Sequence, residues 1–323
     1  MAAKNQKPIG SGFGAKTPAK DVVAGMDLSD KNVIVTGGYS GIGIETVRAL
    51  AGVGAKVMVP ARRPDVAAKE LATVEGDIEI ASMDLGDIAS ARKFASDYVA
   101  TGRQLHILIN NAGIMACPLD RVGPAWESQF GVNHLGHMAM SQALLPALEK
   151  AQGSRLVALS STAHIMSDVH WDDPHFERHA YDKWQAYGQA KSANALFALG
   201  ADRRWDAHGV TAFSVHPGGI FTPLQRHLTV EEMAALGWMN ADGTIPDRIK
   251  AMFKTPEQGA STATWAATSP HLNGRGGEYC EDADIAQLAG PDSQRFHHAR
   301  EWITDEVKAD RLWDMSEKML EGA

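Results

Sequence analysis

Cysteine is scarce in this chain of 323 residues: only Cys117 and Cys280 occur, and neither stands in a CxxC pair. That excludes a disulfide framework and a zinc knuckle, and it points to a reducing compartment. Positive charge is also in short supply. The formal net charge is -8, and no basic run or aromatic-basic stripe appears, which excludes nucleic acid or an anionic membrane surface as the main partner. Long hydrophobic runs are missing as well. Gly, Asn or a charged residue interrupts every apolar stretch, and the polar N-terminus has no signal-like apolar region, so the expectation is a cytoplasmic protein with no membrane anchor. There is no internal repeat and no low-complexity tract.

What the chain does have is core material in a regular rhythm. Hydrophobic residues make up 44% of it, enough for a substantial core. Residues 1–20 are rich in Gly, Lys and Ala without apolar period, and are expected to be an N-terminal tail that wraps the surface or stays disordered. Residues 21–323 are expected to form one domain. Apolar, β-rich runs at residues 32–36, 56–59, 78–83, 105–109, 155–159 and 210–215 alternate with helical stretches. Buried parallel strands read in this way, and right-handed crossovers place the joining helices on both sheet faces. The expected fold class is therefore α/β, a Rossmann-type doubly wound parallel sheet in three layers. Two stretches break the rhythm after strand ends: residues 162–184, with His, Asp and Trp, and residues 222–255, with Leu, Met and Trp. Ligands bind at the carboxyl ends of strands in open α/β sheets, so these insertions predict the walls of a substrate pocket.

The first strand runs into TGGYSGIG, which places Gly37, Gly41 and Gly43 in the turn and at the start of a helix. Glycine lets the backbone approach a pyrophosphate closely, and the helix start offers free N–H groups and a favourable dipole. Tyr39, Ser40 and Ile42 belong to the same candidate dinucleotide turn. A tight strand-to-helix turn is the plain alternative. The second strand continues as PARRP, with no acid to hold a ribose 2′-hydroxyl. Arg62, with Arg63 beside it, can instead meet a 2′-phosphate through guanidinium donors. NADP(H) is thus favoured over NAD(H), against the alternative of two solvated arginines at a helix start. Asp84, just after the third strand, can accept from an adenine amino group, with the Leu85 backbone beside it, or can simply cap a turn. In NNAG, Asn110 and Asn111 can brace strand ends while Ala112 and Gly113 leave room for ribose.

Tyr187 and Lys191 stand four residues apart in AYGQAKSANALF, so both project from one helix face. A phenol with a pKa of about 10 is a poor acid–base group near neutrality, and a fixed ammonium alongside is expected to lower it. Taken alone, YxxxK is most often a surface contact.

Taken together, TGGYSGIG, NNAG, Asn133, Ser161, YGQAK and HPGGIFT resemble the short-chain dehydrogenase/reductase family in its TGxxxGxG, NNAG, YxxxK form. NHLGHMAM, SVHPGGIFTPL and RLWDMSEKML resemble its retinol-dehydrogenase and WW-domain-oxidoreductase branch, and the likeness spans roughly residues 17–320. The resemblance implies reversible hydride transfer between NADP(H) and a carbonyl or alcohol, a small molecule that is often hydrophobic. It implies that Tyr187 is the general acid–base and that Lys191 also holds the nicotinamide ribose. Ser161 would polarise the substrate oxygen, with Ser160 as the competing assignment, and Asn133 would position a relay water. Thr222 and the Ile220 backbone would bind the nicotinamide carboxamide on a turn shaped by Pro217 and Gly218. The helices near 125–148 and 181–205 resemble the pair that gives dimer contacts, so a homo-oligomer is open. NAD-linked alcohol oxidation and a non-catalytic dinucleotide sensor are the alternatives.

A metal is not expected. His164, His170, His175 and His179 share one insertion with Asp168, Asp172 and Asp173, but their spacing forms no compact ligand set such as HExxH, and a His-rich surface loop is expected instead. His134 and His137 are expected to serve helix packing or capping. Leu224, Leu228, Met233, Leu236, Trp238, Met239 and Phe253 can form an apolar lid.

Overall fold

The computed structural model describes residues 5–294 and 296–323. Its strands are β1 (Asn32–Val35), β2 (Lys56–Ala61), β3 (Asp77–Ser82), β4 (Ile107–Asn110), β5 (Arg121–Val122), β6 (Trp126–Glu127), β7 (Ser154–Leu159), β8 (Val210–His216), β9 (Tyr279–Glu281) and β10 (Asp284–Ile285). The main helices are α1 (Gly41–Ala51), α2 (Pro64–Leu71), α3 (Ile88–Ala100), α4 (Gly136–Ala151), α5 (Lys183–Trp205), α6 (Ser261–Thr268) and α7 (Glu306–Glu321). Eight strands form one sheet in the order β10-β9-β8-β7-β4-β1-β2-β3, in which only the β9–β10 pairing is antiparallel.

The period of two along each strand builds the layers. Ile34, Leu108, Leu156 and Ala212 join a buried cluster with α3, α4, α5 and α7. Their chain neighbours Val33, Val35, Ile107, Ile109, Val157 and Phe213 join the opposite cluster with α1, α2 and α6. The result is the three-layer, Rossmann-type α/β fold expected from the sequence. After β1 the chain moves out to β2 and β3 and then returns to place β4 on the other side of β1. The ends of β1 and β4 therefore flank the crevice where this topology binds ligands.

Three features differ from the sequence expectation. The helix expected from Ala125 begins later: Ala125 has φ +77°, Trp126–Glu127 pair as a short strand, and the helix opens at Ser128. Glu127 caps it by accepting from the Gln129 and Phe130 amides at 2.9 and 2.8 Å. Residues Gly131–Leu135 then form a π-helical turn before α4. Second, β9 and β10 are too short to leave a pattern, and they are held from outside by the N-terminal segment. Residues 1–4 of the expected tail lie outside the described residues. Gln6, buried, donates to the Tyr279 and Ala286 carbonyls at 2.6 Å each and accepts from the Tyr279 amide at 2.9 Å. Third, α7 lies across α4 and α5, the pair that resembled a dimer surface. Trp313 stacks on Phe197 with centroids 5.9 Å apart, Arg204 sits 4.6 Å over the Trp313 ring, and Ser316 bonds His134 at 2.7 Å. Part of that outer surface is therefore occupied by the chain itself.

Candidate active site

Three strand ends meet at the crevice, and Thr36 ties two of them together. Its hydroxyl accepts from the Asn111 and Ala112 amides at 2.9 Å each, and its carbonyl accepts from the Asn111 side chain at 2.8 Å. Asn110 points the other way and donates to Ser141 at 3.0 Å. The two asparagines thus brace the end of β4 as expected. The glycines make this closeness feasible. Gly37 has φ +63°, and a Cβ there would lie 3.0 Å from the Ala112 Cα. At Gly43 a Cβ would run into the Gly37 carbonyl oxygen and lie 2.6 Å from the Asn111 amide nitrogen. Ser40 sits at the N-cap of α1 without a side-chain cap bond. A free helix start, a turn stripped of Cβ atoms and an uncommitted hydroxyl fit a dinucleotide pyrophosphate.

Farther along, Arg62 and Arg63 follow β2, both exposed and both on the rim of the main cavity. Asp84 and Leu85 line the same rim. The Asp84 carboxylate accepts from the Gly86 amide at 2.9 Å, so the capping role holds whatever else this group does.

Helix α5 begins where Asp182 accepts from the Trp184 and Gln185 amides at 2.8 Å each. One turn in, Tyr187 and Lys191 share a face as their spacing requires. The Lys191 ammonium donates to the Leu159 carbonyl at 2.8 Å and lies 5.7 Å from the Tyr187 ring centroid. Both are buried. Burial raises the Tyr187 phenol to about 12, with a hydrogen bond to Ser161 acting the other way. Burial lowers Lys191 to about 7. The lowering of the tyrosine expected from the lysine is not seen: loss of hydration is the largest influence on each group and disfavours its charged form.

The two serines separate cleanly. Ser160 is buried and donates to the Lys191 carbonyl at 2.7 Å, bracing α5. Ser161 accepts from the Ala163 amide at 3.1 Å and reaches Tyr187. Asn133 sits in the π-helical turn, fully buried rather than solvent exposed. Its side chain clamps Ile114, accepting from the amide and donating to the carbonyl at 2.9 Å each. A Cβ placed on Gly113 would lie 3.1 Å from the Asn133 carboxamide oxygen and 3.6 Å from the Lys191 ammonium, so these three residues converge. His137 holds this corner, donating from Nδ1 to the Asn133 carbonyl and bonding Thr36 through Nε2, at 2.9 Å each.

The segment after β8 closes the crevice from the other side. Gly41 has φ +56°, and its missing Cβ leaves room for the Thr222 methyl group. Gly218, at φ +107°, likewise leaves room for the Lys254 side chain. Thr222 is held by a reciprocal cap with Gln225, whose side chain also donates to the Ile220 carbonyl at 2.7 Å. A single cavity of about 1280 Å³ runs from Arg62 past the glycine turn to Ser161, Tyr187 and Lys191, and on to Trp184, Leu224, Trp238 and Phe253. Leu228, Met233 and Trp238 pack about Tyr187 with Trp184, so most of the expected apolar lid assembles. Leu236 instead faces solvent.

The histidine-rich insertion is only in part the surface loop expected from its composition: Asp172 and residues 177–180 are exposed, but other members turn inward. His164 and Asp173 are buried, and Asp173 collects the amides of Glu177, Arg178 and His179 at 2.8, 3.1 and 3.0 Å. His175 accepts from the Glu127 amide at 3.3 Å, and His170 bonds Ser167 at 2.9 Å. Among the described residues no group of His, Cys, Asp or Glu has the arrangement of a metal site. Sequence reading missed Thr36 as the hub of the crevice, and it also missed Lys254, Glu281 and His216 on the cavity wall. Thr36 was within sight in its motif. His216 likewise opens the HPGGIFT motif, whereas Lys254 and Glu281 come from a separate loop and strand, and no spacing joins them.

A glycine-lined strand-to-helix turn beside a half-buried Ser161 and a buried Tyr187 and Lys191 defines an NAD(P)-dependent oxidoreductase acting on CH–OH groups. The chain belongs to the short-chain dehydrogenase/reductase family: residues 31–233 match the family described as short chain dehydrogenase. It is 42% identical over 294 residues to a probable oxidoreductase of Streptomyces lividans, covering 90% of this chain and 97% of that one. It is 35% identical over 300 residues to human retinol dehydrogenase 11, covering 91% and 87%, which accords with the retinol-dehydrogenase-like branch. Among solved structures, an uncharacterised protein of Mycobacterium paratuberculosis superposes with a TM-score of 0.71 at 29% identity, over 93% of this chain and 97% of that one.

Proposed function

We propose that the protein interconverts a carbonyl and an alcohol on a bulky hydrophobic small molecule with NADP(H), and that Tyr187 is its general acid–base. The observation that carries this reading is the convergence of Tyr187, its Ser161 partner and Lys191 on one cavity that continues to the glycine turn and to an aromatic wall. The bound nicotinamide would supply or accept the hydride. Gly37, Tyr39, Ser40, Gly41 and Ile42 would hold its pyrophosphate, and Arg62 the 2′-phosphate, beyond a β2 end that itself carries no acid. Asp84, Leu85, Asn111, Ala112 and Gly113 would line the adenosine and ribose path. Pro217, Gly218, Ile220 and Thr222 would bound the nicotinamide.

The chain's own groups divide the proton work. Ser161 donates to the substrate oxygen and steadies the charge that develops there, while Tyr187 passes its proton to the same oxygen. A phenol that burial keeps protonated is ready as the acid for reduction. Lys191, one turn away, holds the ribose hydroxyls and when charged favours the phenolate. Asn133, packed beside Lys191 and Gly113, would hold the water that returns the proton to Tyr187. The apolar wall of Trp184, Leu224, Trp238 and Phe253 suits a bulky aromatic or aliphatic carbonyl. The reading keeps the enzyme in the cytoplasm, supported by two free buried cysteines.

The test is reduction of a panel of aliphatic and aromatic aldehydes and ketones, followed at the NADPH absorbance band. Wild type is expected to reduce bulky hydrophobic members, and Tyr187→Phe to lose about 10²-fold or more in kcat with NADPH affinity kept. Equal turnover by both would overturn the assignment.

A further inference from the structure

Ser161 is held from behind, and the group that holds it is a histidine with no part in the proton chemistry above. His164 stands on the short turn Thr162–Met166 and is fully buried. Its Nδ1 donates to the Ser161 carbonyl at 2.7 Å. Its Nε2 accepts from the Arg300 amide at 3.3 Å. A donor on one nitrogen and an acceptor on the other fit the neutral ring with its proton on Nδ1. Burial agrees, lowering the group to about 4 against the opposite pull of hydrogen bonds to the Ser161 and His298 backbone. Ser161 itself is extended, at φ -165°, with its hydroxyl accepting from the Ala163 amide at 3.1 Å, so the bond from His164 to the Ser161 carbonyl holds the backbone from which that hydroxyl reaches Tyr187.

The socket around this ring is built from segments distant in the chain. The Tyr279 ring meets His164 edge-on at 5.0 Å, and its hydroxyl lies 3.3 Å from Nδ1. Tyr279 is in turn gripped on both backbone groups by Gln6. On the inner side, Ser192, next to Lys191 in α5, donates to the Ser167 and His164 carbonyls at 2.6 and 3.3 Å. Gly188, next to Tyr187, has no Cβ, and one placed there would lie 2.8 Å from the Ala163 carbonyl oxygen. The turn carrying Ser161 is therefore wedged between the catalytic face of α5 and an outer wall formed by residues 6, 279 and 300. All three wall residues lie outside the part of the chain that matches the family, residues 31–233.

We propose that His164 is a positioning residue for Ser161, and that Gln6 and Tyr279 complete the socket that holds its ring. This rests on the reading of Ser161 and Tyr187 as the reacting pair. Contacts that orient metal ligands from behind are worth about 10- to 100-fold, and displacing a group by about 1 Å from the reacting atoms costs about 10²-fold, so the same order is expected for Ser161.

The experiment compares wild type, His164→Ala and His164→Asn. Asparagine places an amide N–H close to where Nδ1 stands, so it keeps the donor while removing the ring. Turnover, substrate KM and NADPH affinity are measured, together with hydrogen exchange of a peptide covering residues 160–167, which needs no substrate. His164→Ala is expected to lose about 10-fold in kcat with KM and NADPH affinity held within about twofold, and to exchange faster in that peptide. His164→Asn is expected to recover most of both. If His164→Ala does not fold, Gln6→Ala carries the same readouts, with about threefold lower kcat and faster exchange expected from the loosened wall. Unchanged exchange in the alanine variants, or an asparagine variant as slow as alanine, overturns the proposal. Should Tyr187→Phe match wild type, the reaction assigned above fails, and the exchange measurement alone decides whether His164 fixes Ser161.

Discussion

The Asn111 side chain donates to the Thr36 carbonyl at 2.8 Å while the Asn111 amide donates to the Thr36 hydroxyl at 2.9 Å. This pair of hydrogen bonds between the residue after β1 and the residue after β4 holds the dinucleotide turn to the floor of the crevice. A Cβ at Gly43 would run first into the Gly37 carbonyl oxygen and would then lie 2.6 Å from the side-chain nitrogen of Asn111.

Gly43→Ala should therefore push the turn apart. Overpacking of this kind costs about 1–3 kcal/mol, and the distorted turn should weaken NADPH by about 10-fold or more. Calorimetric melting and NADPH titration read the two effects. A variant with wild-type affinity would show that the close contact is dispensable.

Arg62 sits exposed on the cavity rim beyond an acid-free strand end. Arg62→Ala is expected to weaken NADPH by about 10-fold, the scale of one charge-assisted phosphate contact, and to leave NADH almost unchanged. Fluorescence titration with both cofactors measures the ratio. Equal affinities in the wild type would exclude a 2′-phosphate clamp.

Lys191 gives a stability effect with a definite sign. Its folded value is lowered to about 7, against about 10.4 for an unperturbed lysine. Between those values the unfolded chain binds the extra proton, so stability rises with pH across that window and the burial cost is largest below it. Lys191→Met should raise Tm near pH 7, by an amount that shrinks as pH approaches 10, even as it abolishes turnover. Melting curves from pH 6 to 10 decide this, and a lower Tm at every pH would mean that the Leu159 hydrogen bond outweighs the buried charge.

Trp313 fixes α7 to α5 through Phe197 and Arg204. Trp313→Ala should cost about 3 kcal/mol as a buried large-to-small change, read by urea unfolding. Light scattering on the same variant reports whether the uncovered face of α5 then draws a second copy of the chain. A loss under about 0.5 kcal/mol would show that α7 contributes little to this layer.

The chain itself determined the alternation of apolar runs and helices, and with it the sheet, because buried parallel strands need continuous apolar residues. It also determined the glycine turn and the Tyr187–Lys191 face, since close backbone approach and helical spacing are local requirements written in consecutive residues. Tertiary structure decided the rest. Whether Ser160 or Ser161 faces Tyr187 depends on which side of a strand end meets α5. That Asn133 lies in a buried π-helical turn follows from its grip on Ile114 in another segment. The buried state of His164, the cover that α7 places over α5, and the balance that leaves Tyr187 protonated and Lys191 easily discharged all arise from desolvation by distant parts of the chain, and desolvation has no signature in local sequence.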